Sequence, residues 1–160
     1  MWDLLSLLLL LGIANGVPVL AAKLFGQRFD TPVDVGCRFV DGRPLFGASK
    51  TIRGIVFSLL ATSLAAPMLG FAWTAGALLA AGAMVGDLAS SFLKRRMGLP
   101  IHAQASGLDQ ILEAGLPLLL LRRPLDLSWL EIAALVSAFV VLEVVLSPVL
   151  YRLGVRDRPH

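Results

Sequence analysis

Apolar and polar positions separate along this chain into long blocks. Five apolar blocks stand out, at approximately 4–24, 55–70, 73–93, 108–121 and 129–150. About 20 apolar residues suffice to cross a hydrocarbon core of about 30 Å as a helix. The pattern predicts an all-α polytopic membrane protein with about five transmembrane helices, forming a single integral-membrane domain over 1–160. Pro67, Gly70 and Trp73 supply the turn and interface residues that divide the second block from the third. Gly76, Ala80, Gly82, Ala83 and Gly86 suit close helix packing in lipid. The first block has no basic residue ahead of it and only Asp3 as an early charge, which argues against a cleaved signal peptide.

Two polar intervals, 25–54 and 94–107, are predicted loops. The first is far longer than the usual connection of about 4–6 residues, and its dense Gly and Pro favour an ordered, shaped segment.

Composition narrows the class. The chain of 160 residues is 57% hydrophobic and only 16% charged, against about 25% charged in a typical soluble domain. That excludes a disordered chain, a disulfide-rich module and an ordinary water-soluble enzyme. The lone Cys37 has no partner for an internal disulfide or a zinc cluster. The formal charge of +3 is not gathered on an independent soluble face, so no nucleic-acid partner is expected. A phosphate-bearing substrate at a membrane surface fits the short basic intervals better. Twelve Lys and Arg fall in the two loops and the tail, and only Arg122 and Arg123 on the opposite side. The positive-inside rule then predicts a multi-pass protein of the cell (inner) membrane, with the N-terminus outside and both loops and the C-terminus cytoplasmic.

The polar residues that interrupt this pattern are the candidates for chemistry. Asp87 lies inside the third apolar block, where an ionisable side chain usually faces a partner or a polar cavity. Ser91 and Lys94, four and seven positions on, return to its helical face, with Arg95 beside them and Arg96 roughly opposite. The stripe suits a phosphate or metal site, or a structural Asp87–Lys94 pair. The run from Asp41 to Gly54 offers Arg43, Lys50 and Arg53 as cations and Thr51 as a hydroxyl donor. That is an anion-binding composition without the Walker pattern. Asp109 and Glu113 share a face of the fourth helix. With Asp87 they could hold magnesium, a hard cation that takes oxygen ligands. Asn15, followed by Gly16 and Pro18, could kink the first helix and bring an amide near the site. Glu143 is a further buried ionisable residue without an assigned role, and His102 and His160 make no case for a nucleophile.

Together these motifs resemble the CDP-archaeol synthase family of membrane cytidylyltransferases, related to phosphatidate cytidylyltransferases. The resemblance rests on Ala14-Asn15-Gly16-Val17-Pro18-Val19-Leu20, on Asp41-Gly42-Arg43-Pro44-Leu45-Phe46-Gly47 with Lys50-Thr51 and Arg53-Gly54, and on Gly86-Asp87-Leu88 followed by Ser91-Phe92-Leu93-Lys94-Arg95-Arg96. It implies transfer of a cytidylyl group from CTP to a membrane lipid phosphate, releasing pyrophosphate, with magnesium as cofactor. Asp87, Lys94 and Asp109 would then be catalytic. Asn15, Asp41, Arg43, Lys50, Thr51, Arg53, Ser91 and Arg95 would bind substrate, and Asp87, Asp109 and Glu113 would bind metal. A homodimer is compatible with the sequence. Where the family typically shows Asp-Gln-Leu-Asp, this chain reads Asp109-Gln110-Ile111-Leu112, and Glu113 is expected to stand in for the missing carboxylate. The alternative is a non-catalytic lipid-binding protein that retains the fold.

Overall fold

The computed structural model describes residues 2–100 and 107–152, with side chains over 4–100 and 107–146. The tail residues Arg156 and Arg158, and His102 in the second loop, lie outside the described residues. Five helices follow in order: α1 (Trp2–Phe25), α2 (Ile52–Met68), α3 (Trp73–Arg96), α4 (Leu108–Leu121) and α5 (Trp129–Arg152). Each coincides with a predicted apolar block to within a few residues. The chain is thus an all-α, multi-pass membrane protein.

The expectation of about five transmembrane helices needs correction. Among the described residues, only α1, α3 and α5 are long and apolar enough to cross a membrane. Helix α2 has 17 residues and α4 has 14. At 1.5 Å per residue these reach about 26 and 21 Å, short of a core of about 30 Å.

Helix α3 is the hub, packing on α2, α4 and α1. Its glycines permit this. A Cβ placed on Gly86 would lie 2.2 Å from the Leu112 carbonyl oxygen, and one on Gly82 would lie 2.7 Å from the Pro117 Cα. Four residues apart, these two form the stripe that α4 presses against. Gly76 does the same for α2, where a Cβ would come within 2.6 Å of the Thr62 carbonyl oxygen. In lipid, helices associate through such close van der Waals contact rather than by expelling water.

Between α1 and α2 a proline sets the contact. Pro18 has no N–H, so it leaves the carbonyl of Ala14, four residues earlier, without its helical donor. The Ser58 hydroxyl of α2 donates to that oxygen at 2.7 Å, in a fully buried position. Beside it, a Cβ on Gly54 would stand 3.2 Å from the Pro18 Cβ.

The apolar core gathers at the end of the bundle far from the 26–51 segment. Leu7, Leu10 and Leu11 of α1 meet Leu79 of α3, Leu118 and Leu121 of α4, and Ile132, Leu135 and Phe139 of α5. Polar residues of the same helices collect at the other end.

That end is roofed by the 26–51 segment, which is shaped by its own backbone bonds. The Val33 amide donates to Lys50 at 2.8 Å and the Ile52 amide to Thr31 at 3.0 Å. An inner turn is closed by Phe39 to Arg43 at 2.9 Å and by Leu45 to Cys37 at 3.0 Å. Buried Asp34 joins the two layers. Its carboxylate accepts from the amides of Gly36 at 3.1 Å, Phe46 at 3.0 Å and Gly47 at 2.9 Å. Burial pushes this carboxyl upward, but the amides outweigh it and hold it below the usual carboxylate range.

Helix α3 also outruns its apolar block. Lys94, Arg95 and Arg96, expected in the loop, occupy its last turn. Cations are favoured there by the carbonyl end of the helix dipole. The helix stops at Gly98, whose φ of 76° only glycine adopts readily, and the Leu99 amide turns back to the Lys94 carbonyl at 3.0 Å.

Candidate active site

Between the polar ends of the helices and the roofing segment lies a cavity of about 780 Å³. Ten of the twelve residues singled out from the sequence line it: Asn15, Lys50, Thr51, Arg53, Asp87, Ser91, Lys94, Arg95, Asp109 and Glu113. Every helix contributes, α2 through Arg53, Gly54 and Ile55 and α5 through Glu143. Five cations and five carboxylates face this space, since Lys23, Asp30 and Glu143 join those named.

The pairing of these charges differs from the one helical periodicity suggested. Asp87 does not pair with Lys94. Its partner is Lys50, delivered by the roofing segment, while Lys94 lies 2.9 Å from the carboxylate of Asp109 on α4. Seven residues on one helix separate two side chains by about 10.5 Å along the axis, too far for contact. Each ion pair therefore bridges two elements. Lys50 fastens the roof to α3, and Lys94 fastens α3 to α4. Ser91 is buried between Asp87 and Lys94 along the α3 stripe.

The supporting residues follow local rules. Thr51 caps α2, its hydroxyl accepting from the Gly54 amide at 3.2 Å. Arg53 is buried and clasps the end of α1, donating to the carbonyls of Gly26 and Arg28 and pairing with Asp30 at 3.1 Å. The Asn15 amide donates to the Leu11 carbonyl at 3.0 Å, one turn back. The Arg95 guanidinium reaches the Pro100 carbonyl at 2.9 Å.

Asp41 and Arg43 are not part of the cavity lining. Arg43 donates to the carbonyls of Arg95 at 3.2 Å and Arg96 at 2.7 Å, satisfying the last carbonyls of α3. Asp41 pairs with Arg96, which also donates to the Pro44 carbonyl at 2.6 Å and lies over the rings of Phe39 and Phe92. Both residues hold the roof on α3 from outside. Sequence reasoning missed Ser58 and Gln110 and left Glu143 unassigned. For Ser58 the signal was Pro18, which creates an acceptor that some donor must meet.

The donor chemistry fits magnesium, although among the described residues no three acidic, His or Cys side chains are gathered as a preformed metal site. Asp87, Asp109 and Glu113 present only carboxylate oxygens to one cavity, the ligand type a hard cation takes. Two of them already hold a cation, the ammonium groups of Lys50 and Lys94.

A family model described as CarS-like, CDP-archaeol synthase, matches residues 1–74 and 67–160. The chain belongs to the CDP-archaeol synthase family. The CDP-archaeol synthase of Saccharolobus islandicus (strain L.S.2.15 / Lassen #1) is 34% identical over 94% of this chain and 96% of that protein. That of Hyperthermus butylicus is 42% identical over 61% of this chain, an alignment spanning 59% of the relative. A solved structure of an intramembrane enzyme for archaeal membrane lipids biosynthesis superposes with a TM-score of 0.70 at 28% identity, covering 85% of this chain and 89% of that one. Leu112, where the family resemblance calls for a carboxylate, lies on the part of α4 pressed against Gly86.

Proposed function

We infer that this cavity is where the chain, a cytidylyltransferase of the CDP-archaeol synthase family acting on a membrane lipid phosphate, transfers the cytidylyl group of CTP. An oxygen of the lipid phosphate attacks the α-phosphorus, the bond to the β-phosphate bridge breaks, and pyrophosphate leaves. The observation that carries this reading is the pair of lysine–carboxylate bridges, Lys50–Asp87 and Lys94–Asp109, side by side in one cavity. An arriving triphosphate competes with each carboxylate for its lysine. Lys50, Lys94, Arg53 and Arg95 then neutralise charge on the α-phosphate and the departing pyrophosphate. Asp87, Asp109 and Glu113 are the residues that would hold magnesium, which when bound supplies further positive charge to the phosphates. Transfer of this kind rests on positioning and needs no protein nucleophile. Asn15 and Thr51 orient the substrate at the wall, and Ser91 offers a hydroxyl between the two pairs.

We also propose that 1–160 forms one domain with the N-terminus outside and the loops and C-terminus cytoplasmic. The twelve-to-two distribution of basic residues supports this, and a label at Ala48 reachable only from the cytoplasmic side tests it. The activity is tested by pyrophosphate release from CTP with magnesium and lipid phosphates, ether- and ester-linked in separate arms. Release with one arm identifies the lipid class. No release with either favours the non-catalytic lipid-binding reading.

A further inference from the structure

Helix α5 turns one stripe toward the bundle. Ile132, Leu135 and Phe139 are buried at helical spacing. The next residue on that stripe, where another apolar side chain would pack, is Glu143. Its neighbours Val141, Leu142, Val144, Val145 and Leu146 are all exposed, while Glu143 is half-buried and lines the cavity. A carboxylate in an apolar helix is disfavoured unless it meets a polar partner. Glu143 meets buried Gln110 of α4, whose amide nitrogen donates to the carboxylate at 3.2 Å. The other end of the same side chain, the Gln110 Oε1, accepts from the Gly107 amide at 2.7 Å. Gly107 caps α4, and the residue between these two bonds that enters the reaction centre is Asp109, 2.9 Å from Lys94.

We propose that Glu143 is a positioning residue. Through Gln110 it holds the first turn of α4, and so keeps Asp109 set against Lys94. The proposal rests on the reading of the cavity given above, and gives the contribution of α5 a role in it. What the role requires of residue 143 is an acceptor oxygen rather than a negative charge. Gln supplies such an oxygen and Leu does not.

The test uses Glu143→Gln, Glu143→Leu and Gln110→Met in the full chain in detergent or vesicles. Amide hydrogen exchange is followed over residues 107–111, and pyrophosphate release is measured against CTP concentration. In Glu143→Leu, exchange in that turn should rise about tenfold and kcat should fall about tenfold, as expected when a reacting group is displaced by a fraction of an ångström. KM for CTP should move far less than kcat. Glu143→Gln should stay within about threefold of the parent in both readouts. Gln110→Met should reproduce the Leu phenotype, and the double change should be no worse than either single one. If Glu143→Gln fails as badly as Glu143→Leu, charge is what matters and the proposal is wrong. Unaltered exchange in both Glu143→Leu and Gln110→Met would overturn it equally. Because exchange is read without turnover, absence of activity in the parent would count against the cytidylyltransferase reading alone.

Discussion

Replacing Gly86 with alanine adds a single methyl group at the tightest helix contact described. That methyl would sit 2.2 Å from the Leu112 carbonyl oxygen, 2.6 Å from its carbon and 3.0 Å from the Glu113 Cα. All three are backbone atoms, so no side chain can swing aside. Restoring an ordinary contact of roughly 3.4 Å requires α3 and α4 to part by about 1.2 Å here. Overpacking of this sort costs about 1–3 kcal/mol. The functional cost should be larger, because the next residue is Asp87 and the displaced turn carries Glu113 and follows Asp109. A displacement of about 1 Å at a reacting group can lower turnover by about 10²-fold. Gly115→Ala is the control, because nothing lies within 4 Å of a Cβ at that position. It should be neutral or raise stability by up to about 1 kcal/mol, as alanine for glycine does inside a helix. Thermal melting in detergent and pyrophosphate release are measured on both variants. A Gly86→Ala protein with parental melting temperature and turnover would refute the argument that this approach of backbones sets the site.

Asp87→Asn should insert and fold yet lose transfer, and Lys50→Met should weaken kcat/KM for CTP by about 10²-fold, since the proposed reading gives Lys50 a charge contact to phosphate; near-parental kinetics in either would remove that residue from the site. Ser58→Ala strands the Ala14 carbonyl and should cost about 1 kcal/mol. Pro18→Ala in the same chain restores a helical donor, so the two changes should be non-additive in a double-mutant cycle of melting temperatures. Asp34 has a carboxyl held below its ordinary value, so its contribution to the roof is fully present above about pH 4 and lost as pH falls through the lower folded value. Proteolysis within 26–51 should therefore accelerate on acidification, and Asp34→Asn should be susceptible already at neutral pH with little further change.

The helices were legible in the sequence because in lipid a long apolar run has to satisfy its own backbone, and a helix does so locally. The five blocks consequently foretold α1 to α5 to within a few residues, and the small residues of α3 foretold its tight neighbours. The end of α3 was less legible, since hydropathy falls at Leu93 while the backbone bonds continue to Arg96. Residue type, helical spacing and the family resemblance together named twelve residues, ten of which line one cavity. What they could not supply was partnership. Periodicity reports which side chains share a face of one helix, and so aligned Asp87 with Lys94. Ion pairs form between side chains whose tips meet, and here the tips come from different elements: Lys50 from the roof, Asp109 from α4. The same holds for Arg43, whose sequence context looked anion-binding but whose Nη1 donates to the carbonyls of Arg95 and Arg96 at the end of α3. It holds again for Glu143, an isolated charge in the sequence whose partner, Gln110, is brought to it only when α5 packs on α4.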